Sequence, residues 1–208
     1  MSEYFIPAGS GESELVEKRS SFLGHVRLAE TEEDAREFIN RMKKKYYDAR
    51  HNCWCYIIRD GAVRYSDDGE PQGTAGLPML EVFRREGVEN VVCVVTRYFG
   101  GVLLGTGGLL RAYTKSAKDA LDAAGIAVVR RWVKVRVECP YSLLERIKLE
   151  CTALGGALSD TQYGVGVTME LLLSAQSAEE FAQRVTELSA GACMTEVVGE
   201  ELLPVKLS

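Results

Sequence analysis

The sequence lacks any run of about 18 apolar residues, the length that a membrane-spanning helix requires. Its first residues, Met1-Ser2-Glu3-Tyr4, also lack the basic and apolar regions of a secretory signal peptide. A hydrophobic content of 46% over 208 residues is enough to bury the core of one large or two small domains. We therefore expect a folded, soluble protein that is cytoplasmic and does not associate with membranes.

A C-x-x-C motif is absent too, although the chain contains six cysteines. Several of them lie in apolar segments, as reduced core cysteines do. His51, Cys53 and Cys55 alternate onto one face of a predicted strand, but three such residues span about 13 Å, too far to bind one zinc ion together. We interpret this segment as a packed strand and predict no metal site and no cofactor.

The most informative stretch runs from residue 90 to 124. It begins with the run Val91-Val92-Cys93-Val94-Val95, which does not alternate and is typical of a strand covered on both faces. It ends with a helical apolar pattern that stops at Gly125. Between them lie the glycines of a first glycine loop: Gly100, Gly101, Gly105, Gly107 and Gly108. A helix that begins after such a loop offers unpaired N–H groups and the positive end of its dipole to an anion.

This loop matches neither of two common phosphate-binding motifs. Thr106-Gly107 stands where a P-loop requires Lys followed by Ser or Thr, and Leu110 stands where the dinucleotide fingerprint requires its third glycine. Two interpretations remain. The glycines either permit close packing in a tight turn or let a ligand or partner approach the backbone.

A second glycine loop, residues 66–80, follows a predicted hairpin. Its acids Asp67, Asp68 and Glu70 are crowded and repel one another unless they meet N–H groups, an arginine or a cation. Either these residues supply turn chemistry, or the carboxylates hold Mg²⁺ beside a phosphate. We weigh the two interpretations equally and predict no bound metal.

The chain is predicted to divide into an N-terminal domain, residues 1–130, and a C-terminal domain, residues 131–208. In the first, Thr31 with Asp34 caps a helix that runs to about Lys45. The second has the order β-α-β-β-α-β of a ferredoxin-like sandwich. Capping boxes are predicted at Ser142 with Glu145 and at Ser177 with Glu180.

Charge is distributed unevenly along the chain, whose net charge is −5. Residues 1–134 hold 20 Lys+Arg and 19 Asp+Glu, whereas residues 135–208 hold 5 and 11. A polyanionic partner should therefore prefer the first part of the chain.

Four long motifs resemble those of the YigZ/IMPACT family. They are Lys18-Arg19-Ser20-Ser21-Phe22, Ala49-Arg50-His51-Asn52-Cys53, the loop from Ser66-Asp67-Asp68-Gly69-Glu70-Pro71-Gln72-Gly73-Thr74 to Pro78, and the segment from Val95-Thr96-Arg97-Tyr98-Phe99-Gly100-Gly101 to Tyr113. The resemblance covers roughly residues 15–125. Arg50 departs from the usual Thr or Ser and adds a charge beside His51, and Cys55 departs from the usual Ala.

The resemblance implies an α+β protein. Its first domain would be an α/β fold like domain two of a ribosomal small-subunit protein, and its ferredoxin-like second domain would resemble an elongation factor G C-terminal domain. Eukaryotic members resemble regulators of translation under amino-acid starvation, a role that transfers poorly to bacteria. The resemblance thus implies roles in translation regulation, stress response and nucleic-acid binding.

Three functions compete. The favoured one is a non-enzymatic, translation-associated factor that binds RNA, the ribosome or a translation-linked protein through the glycine-loop face, without DNA sequence specificity. The second is a phosphate- or nucleotide-binding phosphotransferase or hydrolase that uses the Asp67/Asp68 loop and the Gly105–Gly108 loop, with no catalytic residue assigned. The third is a protein-interaction module.

Candidate residues follow from these functions. The phosphate-binding candidates are Arg97, Gly100, Gly101, Gly105, Thr106, Gly107, Gly108, Arg111 and Lys115. The second-loop candidates are Asp67, Asp68, Glu70, Gly73 and Thr74, and the interaction candidates are Tyr98, Phe99, Tyr113 and His51.

Overall fold

The computed structural model describes residues 3–206, and these form a mixed α+β structure with two sheets and five α-helices. Residues 4–129 form most of one compact unit, the N-terminal unit, and residues 130–203 form most of another, the C-terminal unit. The predicted domain ranges 1–130 and 131–208 include residues 1, 2, 207 and 208, which lie outside the described residues. Within residues 3–206, no helix is both long and apolar enough to span a membrane.

The N-terminal unit is built on a five-stranded antiparallel sheet of order β2-β3-β6-β4-β5. Its strands are β2 (Gly11–Glu17), β3 (Ser20–Leu28), β4 (His51–Ile57), β5 (Val63–Ser66) and β6 (Val91–Tyr98). A further strand, β1 (Tyr4–Pro7), pairs with residues 126–129 at the start of β7 (Ile126–Cys139).

Helices cover both faces of this sheet, which explains why central strand β6 reads as an unbroken apolar run. On one face, Val92 and Val94 pack in a cluster with Phe38 and Ile39 of α1 (Glu32–Lys45). On the other face, Val91, Cys93 and Val95 share the main core with α2 (Gly76–Glu86) and α3 (Gly105–Ala124).

The helix ends of this unit follow the local sequence signals. Thr31 caps α1, because its hydroxyl accepts from the Asp34 N–H at 3.1 Å while the Asp34 carboxylate accepts from the Thr31 N–H at 3.0 Å. Helix α2 stops at Gly87, whose φ of 67° is left-handed, and α3 stops at Gly125, with φ of 70°.

The C-terminal unit has the predicted ferredoxin-like element order, with strands arranged β10-β7-β9-β8. After β7 come a short 3-10 turn (Tyr141–Leu143), α4 (Leu144–Ala153), β8 (Ala157–Tyr163), β9 (Val167–Leu173), α5 (Ala175–Leu188) and β10 (Thr195–Lys206). Val135 and Val137 of β7 and Leu171 of β9 pack with Ile147 and Phe181 of the two helices.

Two predicted helix caps in this unit are wrong. Ser142 lies inside the 3-10 turn that precedes α4, so it does not adopt the extended backbone of a capping residue, and α4 begins without a side-chain cap among residues 3–206. Ser177 is the third residue of α5, so it lies within the helix and not before its start. Its N–H donates to the Ser174 hydroxyl at 3.0 Å, and Ser174 is the residue that caps α5.

Candidate functional site

Both glycine loops line one cavity of about 410 Å³ in the N-terminal unit, here called the loop cavity. The second glycine loop contributes Gly69, Glu70 and Pro71, and the first contributes Phe99, Leu103, Leu104, Gly105 and Thr106. The remaining lining residues are Arg50, His51, Arg97 and Leu109. Antiparallel pairing explains how distant residues meet here, because His51 at the start of β4 lies opposite Arg97 near the end of β6.

Glu70 is the centre of a buried polar cluster at this cavity. Its Oε1 accepts hydrogen bonds from Arg97 Nη1 at 2.6 Å and from the Tyr113 hydroxyl at 2.8 Å, and His51 Nε2 lies 3.9 Å away. Arg97 and Glu70 are 5% and 8% exposed. Burial, followed by the nearby Cys53 and Glu70, raises the pKa of Tyr113, so its hydroxyl keeps the proton that it donates.

Arg97 is not fully satisfied by this pairing. One guanidinium nitrogen serves Glu70 and another lies 3.5 Å from the Ser20 hydroxyl, at the limit of a hydrogen bond. Within residues 3–206, the buried Nε of Arg97 has no hydrogen-bond partner. Such an orphaned donor beside a cavity is a feature that a bound polar group could satisfy.

His51 has a defined orientation. Its Nδ1 lies 2.8 Å from the backbone carbonyl oxygen of Asp68, and a carbonyl oxygen can only accept, so Nδ1 carries the hydrogen. In the neutral ring, Nε2 is therefore the acceptor nitrogen, and the residue lines the cavity.

The acids Asp67 and Asp68 hold the second glycine loop in shape. Asp67 accepts from the N–H groups of Gly73 at 2.9 Å, Ala75 at 3.0 Å and Gly76 at 2.8 Å. Asp68 accepts from the Asn52 N–H at 2.7 Å and from Lys43 Nζ at 2.8 Å. Their charges are thus met by backbone groups and a lysine, which gives both acids a structural role.

Other second-loop residues are also structural in this arrangement. The Thr74 hydroxyl is buried and donates to the Pro71 carbonyl at 2.7 Å. Gly73 lines a separate groove between α2 and α3, not the loop cavity. Across the described part of the chain, no cluster of three or more His, Cys, Asp or Glu could hold a metal ion.

The start of α3 contributes backbone donors to the loop cavity. Gly105 and Thr106 are its first two residues, and both line the cavity. No side chain of residues 3–206 caps this end, so the first-turn N–H groups and the positive end of the dipole are available to an anion. Gly101 and Gly105 have φ values of 84° and 71°, where glycine is favoured.

Gly100 fixes the first glycine loop to the turn between β2 and β3. Its N–H donates to the Ser20 hydroxyl at 3.2 Å. A Cβ at this position would lie 2.0 Å from the backbone carbonyl of Arg19, so only glycine allows this approach.

A second depression, of about 310 Å³, adjoins the cavity and is here called the basic groove. Its charged lining residues are Lys18, Arg111 and Lys115 and one acid, Glu17, and Gly108 lines it too. Leu104 lines both depressions. The predicted cations are therefore divided, with Arg97 in the loop cavity and Arg111 and Lys115 in the basic groove.

The predicted interaction residues differ in exposure. Phe99 is 40% exposed at the cavity, whereas Tyr98 is half-buried. The Tyr98 hydroxyl donates to the Asp48 carboxylate at 2.8 Å, and this hydrogen bond raises the pKa of Tyr98 to about 12. The prediction that Tyr113 contacts a partner is wrong. It lies on the inner face of α3, fully buried and packed edge-on against Phe22.

Some residues of the site were missed as candidates. Lys18 and Arg50 lie in motifs that carry the family resemblance, so the sequence contained a signal for both. Leu103 and Leu104 carried no chemical signal, and only the fold places them at the cavity. Gly107 is exposed on the first turn of α3 and lines neither depression.

The geometry defines a two-unit α+β protein whose N-terminal unit carries a cavity suited to an anionic group. Comparison with known families agrees with this division. Residues 18–121 match the Impact N-terminal domain, and residues 137–192 match a domain of unknown function, DUF1949.

Whole-length relatives extend this result. The chain is 38% identical to the IMPACT family member YvyE of Bacillus subtilis, over 90% of this chain and 88% of that protein. It is 32% identical to the IMPACT family member YigZ of Escherichia coli, over 92% of this chain and 96% of that protein. A solved structure described as a crystal structure of an hypothetical protein aligns with a TM-score of 0.60 and 30% identity, over 96% of this chain and 98% of that one. The chain belongs to the IMPACT family.

Proposed function

We propose that this IMPACT family member is a non-enzymatic, translation-associated factor whose glycine-loop face binds RNA. The observation that carries the proposal is the loop cavity, where the uncapped start of α3 meets Arg50 and the incompletely satisfied Arg97. Backbone N–H groups at a helix start and arginine side chains are both suited to phosphate oxygens.

The local charge supports a polyanionic partner. Arg97 is neutralised by Glu70, so the free positive charge at the cavity comes from Arg50 and the helix dipole. The adjoining basic groove adds Lys18, Arg111 and Lys115 against one acid, Glu17. Among residues 3–206, only Lys115 of these three cations forms an ion pair, with Asp119 at 2.8 Å. Residues 135–208, with 5 basic and 11 acidic residues, are the less suitable RNA surface.

The enzymatic alternative has less support. A phosphotransferase or hydrolase would need a carboxylate free to position a metal or remove a proton, but the Asp67 and Asp68 oxygens already accept hydrogen bonds from five donors. The first glycine loop also lacks the lysine that phosphate-transferring loops use.

A protein partner is the second candidate, and one observation favours it. Apolar side chains of the first glycine loop and the start of α3 are exposed: Val102 at 41%, Leu103 at 81% and Leu110 at 44%. Exposed apolar groups next to an aromatic residue and arginines are typical of contact surfaces. A translation-linked protein could therefore contact the same face.

Co-sedimentation with ribosomes and RNA from a lysate, over a salt series, tests the proposal. The test variant is Arg50→Ala with Arg111→Ala, since both side chains are exposed. The control, Arg41→Ala with Lys44→Ala, removes the same charge from α1, on the other face of the sheet. We expect salt-sensitive association that the test variant loses and the control retains. Equal association of both variants, or none by the unaltered protein at low salt, contradicts the proposal.

A further inference from the structure

We infer that the loop cavity holds one nucleotide of single-stranded RNA, with its base stacked on Phe99 and its phosphate at the start of α3, while the basic groove binds phosphates of the adjoining nucleotides. This inference rests on the proposed function and specifies the form of RNA and the contacts. It assigns a distinct role to each of the two depressions that Leu104 separates.

The size of the loop cavity favours a single nucleotide. A volume of about 410 Å³ is within the range of pockets that hold small organic ligands. A double helix offers its phosphates on a broad surface and keeps its bases stacked inside, so it cannot place a base in such a pocket. Single strands can, because their bases are free to turn outward and stack on protein side chains.

Phe99 is placed to stack with a base. Its ring is 40% exposed and belongs to the cavity lining. The guanidinium carbons of Arg50 and Arg97 lie 5.8 Å and 5.6 Å from the ring centroid. An aromatic ring beside arginines is the kind of platform on which bases stack, with little dependence on base identity.

Two independent features mark the phosphate position. The first is the uncapped start of α3 at Gly105 and Thr106. The second is Arg97, a cavity-lining residue that is more than nine-tenths buried and whose Nε has no partner among residues 3–206. Glu70 holds the Arg97 guanidinium in place, so the donors are positioned before a ligand arrives.

The basic groove extends the site along a strand. It shares Leu104 with the cavity, and Arg111 and Lys115 are exposed one helical turn apart on α3. Lys18 reaches the same groove from the turn between β2 and β3. A strand with one nucleotide in the cavity would thus bring its neighbouring phosphates onto these cations.

The test compares adenosine 5′-monophosphate with oligoadenylates of increasing length, by calorimetry and by NMR of the backbone amides. We expect the mononucleotide to shift the Gly105 and Thr106 amide signals and the octanucleotide to bind more tightly. Phe99→Ala should weaken binding of both by roughly 5- to 150-fold, the effect of losing one stacked base. Phe99→Trp should retain it, which separates stacking from a general loss of folding.

The second arm uses Arg111→Ala with Lys115→Ala. This variant should bind the mononucleotide normally but lose most of the gain in affinity with length. The slope of log affinity against log salt for the octanucleotide should fall by about 1.4, the value for two single-strand phosphate contacts. Arg41→Ala with Lys44→Ala is the matched control and should leave both unchanged.

The inference is overturned if the octanucleotide binds but Phe99→Ala has no effect, or if a duplex of the same length binds equally well. Either result leaves the proposed RNA-binding function intact. If neither the octanucleotide nor ribosomes bind the unaltered protein, the proposed function itself fails.

Discussion

Arg97 donates a 2.6 Å hydrogen bond to Glu70, and the side chains of both residues are almost completely buried. The two residues come from different elements, the central strand β6 and the second glycine loop. This ion pair joins the loop to the sheet and positions a guanidinium beside the loop cavity. Removing one partner leaves the other as a buried, uncompensated charge.

Arg97→Ala is therefore expected to lower the free energy of unfolding by about 3–5 kcal/mol, because the Glu70 carboxylate loses its cation. Arg97→Met combined with Glu70→Gln should cost less than Arg97→Ala alone, since no unpaired charge remains. Chemical denaturation of the three proteins measures both values. A loss below about 1 kcal/mol for Arg97→Ala would show that the pair is not closed in solution.

Gly100→Ala is expected to destabilise the protein and to weaken RNA binding, because the new Cβ would lie 2.0 Å from the Arg19 backbone and displace the first glycine loop. Gly107→Ala is the matched control in the same loop. Its Cβ would meet only the Arg111 guanidinium at 3.6 Å, and alanine in a helix is favoured over glycine by about 0.5–1 kcal/mol. Thermal melts and RNA titrations of both variants check this contrast, and similar melting temperatures would contradict it.

Asp67→Ala is expected to destabilise the second glycine loop by roughly 2–4 kcal/mol, because three backbone N–H groups lose their acceptor. Asp67→Asn retains one acceptor oxygen, so its stability should lie between those of the unaltered protein and Asp67→Ala. Hydrogen exchange at the Gly73, Ala75 and Gly76 amides provides the measurement. If these amides stay equally protected in Asp67→Ala, the structural role assigned to Asp67 is incorrect.

Stability should decrease at alkaline pH because of buried thiols. Burial raises the pKa of Cys53 and of Cys55, so the folded protein holds these protons more tightly than the unfolded chain does. The free energy of unfolding is then at its full value below the unfolded cysteine pKa of about 8.5, and it falls as pH rises above that value.

Chemical denaturation at a series of pH values from about 7 to about 10 measures this decline around the cysteine pKa. The free energy of unfolding of Cys55→Ala should fall less steeply with pH, by up to about 1.4 kcal/mol per pH unit, because one titrating thiol has been removed. Identical slopes for the two proteins would rule out this explanation.

The sequence predicted the elements around the site but not their contacts. The strand ending near Tyr98, the first glycine loop and the helix to Ala124 could be predicted, because periodicity and glycine placement are local signals. The contact of Glu70 with Arg97 and Tyr113 joins residues 27 and 43 positions apart, and only the tertiary fold brings them together. That fold also directs Tyr113 into the core, where a single-helix pattern could not locate it.

The role of the second glycine loop depended on information that a sequence does not contain. Crowded carboxylates at Asp67 and Asp68 fit a metal site and a turn equally well until the donors of their hydrogen bonds are known. Backbone N–H groups are present at nearly every residue, so their use by Asp67 leaves no mark in the sequence.

The most direct test of the account is ultraviolet cross-linking of the protein to RNA in ribosome-containing lysate, followed by mass spectrometry of tryptic peptides. Cleavage after Arg97 and Arg111 releases residues 98–111 as one peptide, which contains Phe99 and all the glycines of the first loop. We predict that nucleotides attach to this peptide and that Phe99→Ala reduces their yield. Cross-links confined to residues 130–203, or none above the background without light, would contradict the claim that the glycine-loop face binds RNA.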